Sequence, residues 1–303
     1  MPSRRVLVVG AGFLGSHIAR RLVASDREVR VLTTSPPRSA LPDCHVVVGD
    51  AADRSRAAEA LLGCQVVVWC AGQLLPLSTH EELSELDDIS PLHEVLCELA
   101  IQGGRRFVYL SSGGTVYGNA TTVPTSEAEP LRPISIYGAT RVRCERYVQE
   151  LGRRHDIRTT ILRCGNVYGP GQRAERSQGV VAHALACQRS GHPLSLRADL
   201  GSIRDYIYVE DVVDVVEASL TSEPPDTMNV ATGIGTQLGD LLAMIHDLTG
   251  GPEVIRAPEP PEDVHTSILD ITRLRQFLPG YHPQSLARGL ELTCREREPL
   301  LLE

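Results

Sequence analysis

Arg5-Val-Leu-Val-Val-Gly10-Ala-Gly12-Phe-Leu-Gly15-Ser-His-Ile-Ala-Arg20 decides how the rest of the chain is read. Arg5 to Val9 is a short apolar run of buried-strand type, Gly10 to Gly15 form a glycine turn, and Ser16 to Ala24 carry apolar residues at helical spacing. A glycine turn that leaves a strand and opens a helix lets a pyrophosphate reach the backbone. No Cβ atoms stand in its way, and the helix N-terminus favours an anion. Gly10, Gly12, Phe13, Leu14 and Gly15 are therefore the expected phosphate-binding segment of a dinucleotide site.

The pattern continues outward from there. Strands are expected at Val29 to Leu32, Val46 to Val48, Val66 to Cys70 and Phe107 to Leu110, with helices at Arg54 to Leu62 and about Asp88 to Gln102. Such alternation implies βαβ crossovers and a parallel sheet covered on both faces, an α/β doubly wound architecture. Further on, a proline-bearing loop (Val123 to Pro133) precedes a helix at Tyr137 to Leu151 and a strand at Thr159 to Leu162. The helix 178 to 190, the strand-like Pro193 to Leu196 and the C-terminal third suggest a smaller lobe, with Pro258 to Pro261 a surface loop. We expect a dinucleotide-binding domain over 1–167, with 204–232 returning to it, and an interleaved substrate lobe over 168–303.

Composition narrows the function classes. With 303 residues, 42% hydrophobic and 22% charged, the chain can bury a large core, and its apolar runs are too short for a membrane span. No signal-peptide pattern precedes the glycine turn, so a cytoplasmic protein is expected. A net charge of −8 with dispersed basic residues offers no footprint for nucleic acid. The eight cysteines, at 44, 64, 70, 97, 144, 164, 187 and 294, show no disulfide or zinc spacing and read as free thiols. The ten histidines lack metal-binding spacing, so no metal is expected, and His17 reads as structural.

All 30 basic residues are arginine and none is lysine, which excludes Schiff-base chemistry. A GC-rich genome accounts for this, since asparagine and phenylalanine number only three each. Deliberate lysine removal, or selection against an amine that a reactive carbonyl would trap, are the other readings.

At the ribose end, the second strand closes on Thr33-Thr34-Ser35 with Arg38 nearby, where an acid would favour NAD. No carboxylate repels a 2′-phosphate, so NAD and NADP both stay open. Asp50 is placed to bond the adenine amine. Ala51, the pair Ala71 and Gly72 after the fourth strand, and Ser111 complete the expected cofactor contacts.

A second cluster carries acid/base chemistry: Ser111-Ser112-Gly113-Gly114-Thr115-Val116-Tyr117-Gly118 ends a strand, and Tyr137-Gly-Ala-Thr-Arg141 opens a helix. Four residues apart, Tyr137 and Arg141 share a helix face, where the cation can lower the phenol pKa. A phenolate is then a general base for a sugar hydroxyl, or a phenol an acid for a carbonyl.

With these residues in place, the chain resembles the extended short-chain dehydrogenase/reductase family, most closely its nucleotide-sugar epimerase and dehydratase branch. The resemblance runs the whole length: the glycine turn, SSGGTVYG, YGATR where the family has Tyr-x-x-x-Lys, Arg163-Cys-Gly-Asn166-Val-Tyr-Gly-Pro170-Gly, and Arg204-Asp-Tyr-Ile-Tyr-Val-Glu-Asp211-Val. It implies a Rossmann lobe, NAD or NADP as cofactor, a nucleoside-diphosphate sugar as substrate, and a homodimer joined through the helices near 88–102 and 137–151. Tyr137 then matches the catalytic acid/base and Arg141 the lysine position, while Asn166 matches a sugar-nucleotide contact and Arg204 a diphosphate contact. Tyr117 is either a substrate contact or a packing residue. Cys164, next to the expected nicotinamide edge, reads as packing.

Four departures from the family stand out. Gly113 occupies the usual Ser/Thr position, leaving Ser112 or Thr115 to bond the sugar oxygen. Thr33 replaces the ribose acid, Pro260 replaces an arginine expected three residues before Asp263, and Arg141 replaces lysine. Arginine supplies charge and hydrogen bonds but cannot relay a proton. The leading expectation is C4 epimerisation of a nucleotide-activated hexose. A dehydratase is disfavoured because that branch's Asp-Glu pair is Gly114-Thr115 here. An NADPH-dependent 4-ketoreductase and a catalytically impaired sugar-nucleotide-binding pseudoenzyme are the alternatives.

Overall fold

In the structure, a computed structural model, β1 (Arg5–Val9) alternates between two cores: Val6 and Val8 pack on one side of the sheet, Leu7 and Val9 on the other. Successive strand residues point to opposite faces, so an unbroken apolar run is what a strand covered on both sides requires. The described residues are 5–37, 39–41, 43–72, 88–174, 179–257 and 264–295. Arg38, Pro260 and Asp263 lie outside them.

β1 is joined by β2 (Glu28–Thr33), β3 (Cys44–Val48), β4 (Val66–Trp69), β5 (Arg106–Ser112), β6 (Arg158–Cys164) and, after three strands that lie outside this sheet, β10 (Thr227–Val230). These seven strands form one parallel sheet in the order β10-β6-β5-β4-β1-β2-β3. This is the doubly wound Rossmann order with one added edge strand. The chain winds one way from β1 and the other way from β4. The crevice at their carboxyl ends is therefore the switch point where such sheets bind ligands.

Helix α1 (Phe13–Ala24) covers the Val6/Val8 face, burying Ile18, Ala19 and Leu22. The opposite face carries α2 (Arg54–Leu61, capped by Asp53), α3 (Ile89–Ile101) and, after a single helical turn α4 (Gly113–Val116), the long α5 (Ile136–Arg154). The Ser135 hydroxyl accepts from the Gly138 N–H at 3.1 Å, so α5 begins one residue before Tyr137 and outlasts the expected Leu151 by three.

The smaller part is built on β9 (Ile203–Tyr208). It pairs in parallel with β7 (Asn166–Tyr168) and β13 (Thr266–Ser267), and antiparallel with β11 (Gly235–Gln237). Its core gathers Tyr168, Tyr206 and Tyr208 with residues of α6 (Val180–Ser190), α8 (Leu238–Thr249) and α10 (Leu286–Arg295). β8 (Leu194–Leu196) pairs with β12 (Val254–Arg256), and α9 (Thr272–Phe277) follows β13.

Helix α7 (Val209–Thr221) leaves β9 and packs on α1. Along that contact Glu210 accepts from Arg21 at 2.8 Å and pairs with His17 Nδ1 at 2.6 Å, and Arg21 also pairs with Asp214. His17 Nε2 bonds the Pro170 carbonyl at 3.0 Å, so this histidine pins three segments together. All eight cysteines are free. Among the described residues no helix is long and apolar enough to cross a membrane, and no cluster of acidic, histidine or cysteine side chains could hold a metal.

Candidate functional site

The three glycines of the turn do different work. Gly10 has φ +95°, and a Cβ there would stand 3.0 Å from the Ala71 nitrogen, so this position needs both glycine's conformation and its size. A Cβ at Gly15 would run into the Gly10 carbonyl oxygen, so α1 can approach β1 only with glycine there. Gly12 differs, because a Cβ added to it meets no described atom within 4 Å. Its open side is the cradle that a pyrophosphate would fill, ahead of a helix with no acidic residue in its first turn. Phe13 and Leu14 turn toward the smaller core, and the Phe13 ring meets His17 edge-on at 5.5 Å.

At the adenosine end, the Thr33 hydroxyl donates to the Ser35 carbonyl at 3.0 Å, bracing its own turn. Asp50 accepts from the Ala52 N–H at 2.9 Å, and Ala51 is buried against the α2 side of the core. The Trp69 indole donates to the Ala71 carbonyl at 2.8 Å, fixing the segment after β4.

Gly72, next in that segment, is where α5 arrives: a Cβ there would collide with the Arg141 guanidinium. Arg141 is buried. Its Nη1 donates to the Tyr109 hydroxyl at 2.9 Å, Nη2 lies 3.5 Å from Asp88 Oδ2, and the guanidinium carbon stands 5.0 Å from the Tyr137 ring centroid. Burial opposes its charge, but the nearby Tyr109, Tyr137 and Asp88 outweigh it and the pKa is raised. The group stays a cation. Its Nε–H is buried with no hydrogen-bond partner among the described residues. The open side of Gly12 and the orphaned Arg141 donor are groups that a dinucleotide would complete, so the residues present fit the cofactor.

Tyr137 is half-buried at the first turn of α5. A Cβ on the neighbouring Gly138 would come within 2.8 Å of the Thr115 carbonyl, so α4 and the start of α5 are in close contact at Thr115 and Gly138. The Thr115 hydroxyl reaches the Ser112 carbonyl at 3.5 Å. A Cβ on Gly114 would meet Asn166 Oδ1 at 3.0 Å, which places Asn166 across from the same turn.

Gly113 is packed differently. A Cβ there would lie 2.5 Å from Leu269 Cδ1 and 3.0 Å from the Arg163 carbonyl oxygen. Restoring the family hydroxyl by Gly113→Ser is therefore expected to destabilise the protein by about 1–3 kcal/mol through overpacking. Thermal denaturation reads this directly, and an unchanged melting temperature would show that the site has room for the side chain.

Two of the expected contacts sit elsewhere. Tyr117, a candidate substrate contact, is 3% exposed, donating to Asn229 Oδ1 at 2.7 Å and accepting from Arg163 Nη1 at 3.0 Å, and burial pushes its phenol up to about 12. Ser111, a candidate cofactor contact, is also buried and donates to Glu145 Oε1 at 2.5 Å. Both belong to a core network that leaves neither hydroxyl open. Arg204 Nη1 donates to the carbonyls of Ile203 and His265 at 3.0 and 3.2 Å. Burial pushes the Cys164 thiol up to about 12, so it stays protonated.

Sequence reading missed Asp88, Tyr109, Glu145 and Arg163. For Glu145 a signal existed. It lies four residues beyond Arg141 and eight beyond Tyr137, on one helix face, where a buried carboxylate needs a buried cation. Arg163, a charge following the buried Ile161 and Leu162 of β6, is that cation, at 2.7 Å from Glu145 Oε2.

The chain is similar to known proteins over most of its length. The family model described as the NAD dependent epimerase/dehydratase family matches residues 6–231. The UDP-glucose 4-epimerase of Mycolicibacterium smegmatis is 37% identical over 199 residues, 64% of this chain and 62% of that enzyme. The dTDP-4-dehydro-6-deoxy-D-allose reductase of Streptomyces bikiniensis is 30% identical, with 96% of this chain and 95% of that enzyme covered. The solved structure of UDP-glucose 4-epimerase with UDP-glucose from Thermotoga maritima superposes with a TM-score of 0.88 at 30% identity, covering 96% of this chain and 97% of that one.

Proposed function

The chain belongs to the NAD dependent epimerase/dehydratase family, and on that premise we propose that it inverts C4 of a nucleotide-activated hexose, with Tyr137 moving the proton. When bound, the nicotinamide supplies a hydride acceptor and returns the hydride. Tyr137, half-buried at the start of α5, takes the proton of the C4 hydroxyl, and Thr115 or Ser112 bonds the same oxygen. Arg141 holds its guanidinium over the ring, 5.0 Å from the centroid, and so fixes the ring in place.

The observation that carries the reading is the character of that cation. Buried and permanently protonated, Arg141 cannot pass a proton between Tyr137 and solvent. An epimerase has no need of such a relay: the proton taken from the C4 oxygen is returned to it once the ketone has presented its other face. A reductase consumes one proton from solution in every turnover. The arginine therefore suits a closed cycle.

A 4-ketoreductase remains the second reading, supported by the absence of a carboxylate at Thr33 and by the similarity to the reductase above. To test both, freshly purified protein is incubated with UDP-hexoses without added nucleotide, and a parallel sample is heat-denatured to identify any released nucleotide. Epimers formed without added cofactor, together with released NAD, are expected. One-for-one consumption of added NADPH would establish the reductase, and neither turnover nor nucleotide would overturn the enzymatic reading.

A further inference from the structure

Arginine at position 141 is surrounded by features that match its shape. Gly72 gives the planar head its resting surface, since any Cβ there would overlap the guanidinium. Tyr109, from the middle of β5, takes one Nη1 hydrogen at 2.9 Å, and Asp88, at the start of α3, lies 3.5 Å from Nη2. The Tyr137 ring closes the other side at 5.0 Å. The guanidinium is thus held at each nitrogen except Nε, whose buried N–H has no partner among the described residues.

We propose that Asp88, Tyr109 and Gly72 are positioning residues that fix Arg141 beside Tyr137 at the dinucleotide site, and that the site is committed to arginine. The proposal rests on the dinucleotide site of the preceding reading but on no sugar substrate. An ammonium in this place is smaller, so a methyl on residue 72 would find space. It can also lose its proton when its counter-ion is removed, which a guanidinium cannot do. Restoring the family lysine is therefore expected to weaken the site. It is also expected to decouple residue 141 from residues 72 and 88.

The experiment is a pair of double-mutant cycles, Gly72→Ala with Arg141→Lys and Asp88→Asn with Arg141→Lys. The readouts are NADH affinity by fluorescence titration and the melting temperature of nucleotide-free protein. In the arginine background each single change is expected to weaken NADH binding about tenfold and to lower the melting temperature, but in the lysine background less than about twofold. Effects that simply multiply in both cycles, or Arg141→Lys binding NADH as tightly as wild type, would overturn the proposal. So would a wild-type protein that binds neither NADH nor NADPH. Because no sugar enters either measurement, failure to epimerise leaves these outcomes unaffected, and additive cycles leave the epimerase reading standing.

Discussion

Tyr137→Phe is expected to lower turnover about 10²- to 10⁴-fold, the usual worth of a positioned general acid/base. Nucleotide affinity and melting temperature should stay close to wild type. The ring makes the contact with Arg141, and phenylalanine keeps the ring. The cap of α5 comes from Ser135, and the neighbouring contact with α4 involves Gly138, so neither depends on the phenol. Only the proton-bearing oxygen is lost. Steady-state assay beside thermal denaturation separates the outcomes: activity within about threefold of wild type would remove Tyr137 from the chemistry. A comparable fall in stability would show that the hydroxyl is structural.

The parts of the site legible in the sequence are those whose physics is local. Glycines at 10, 12 and 15 announce a turn, an open cradle and a close helix contact because each depends on the missing Cβ of one residue. Tyr137 and Arg141 share a helix face whatever the fold around them. What pairs across elements was not legible. Ser111 read as a cofactor contact because it stands near a strand end. But β5 continues through Ser112, which pairs with Cys164, so strand alternation turns Ser111 to the same face as Phe107 and Tyr109. That face belongs to α5. Two strand residues advance about 6.6 Å and four helix residues about 6.0 Å, so Tyr109 meets Arg141 while Ser111 meets Glu145. Whether Tyr117 packs or meets the substrate is open in the sequence for a similar reason, since its partner Asn229 lies 112 residues away on a strand that joins the sheet last.

The network behind those two residues sets the second large expectation. Glu145 accepts from Arg163 Nε at 3.1 Å and Nη2 at 2.7 Å and from the Ser111 hydroxyl, with both charged side chains under 10% exposed. Burial works against the charge on Arg163, but Glu145 and Tyr117 more than offset it and raise the pKa, and a guanidinium is too basic to lose its proton when its partner is removed. Glu145→Gln keeps the volume and deletes the anion. It leaves a buried cation with no counter-charge, a change expected to cost about 3 kcal/mol. For a chain of this size that is roughly 6 °C in melting temperature. The effect should reach beyond the pair, because Arg163 bonds Tyr117, Tyr117 bonds Asn229, and Asn229 Nδ2 donates to the carbonyls of Thr125 and Asp270. This links α5 to β10 and to the segments beside β13. Replacing both charges, Glu145→Leu with Arg163→Leu, should cost less than the sum of the single changes, since the stranded charge is then gone. Equal melting temperatures for wild type and Glu145→Gln would show that solvent reaches the pair, and the network would then carry none of the stability assigned to it.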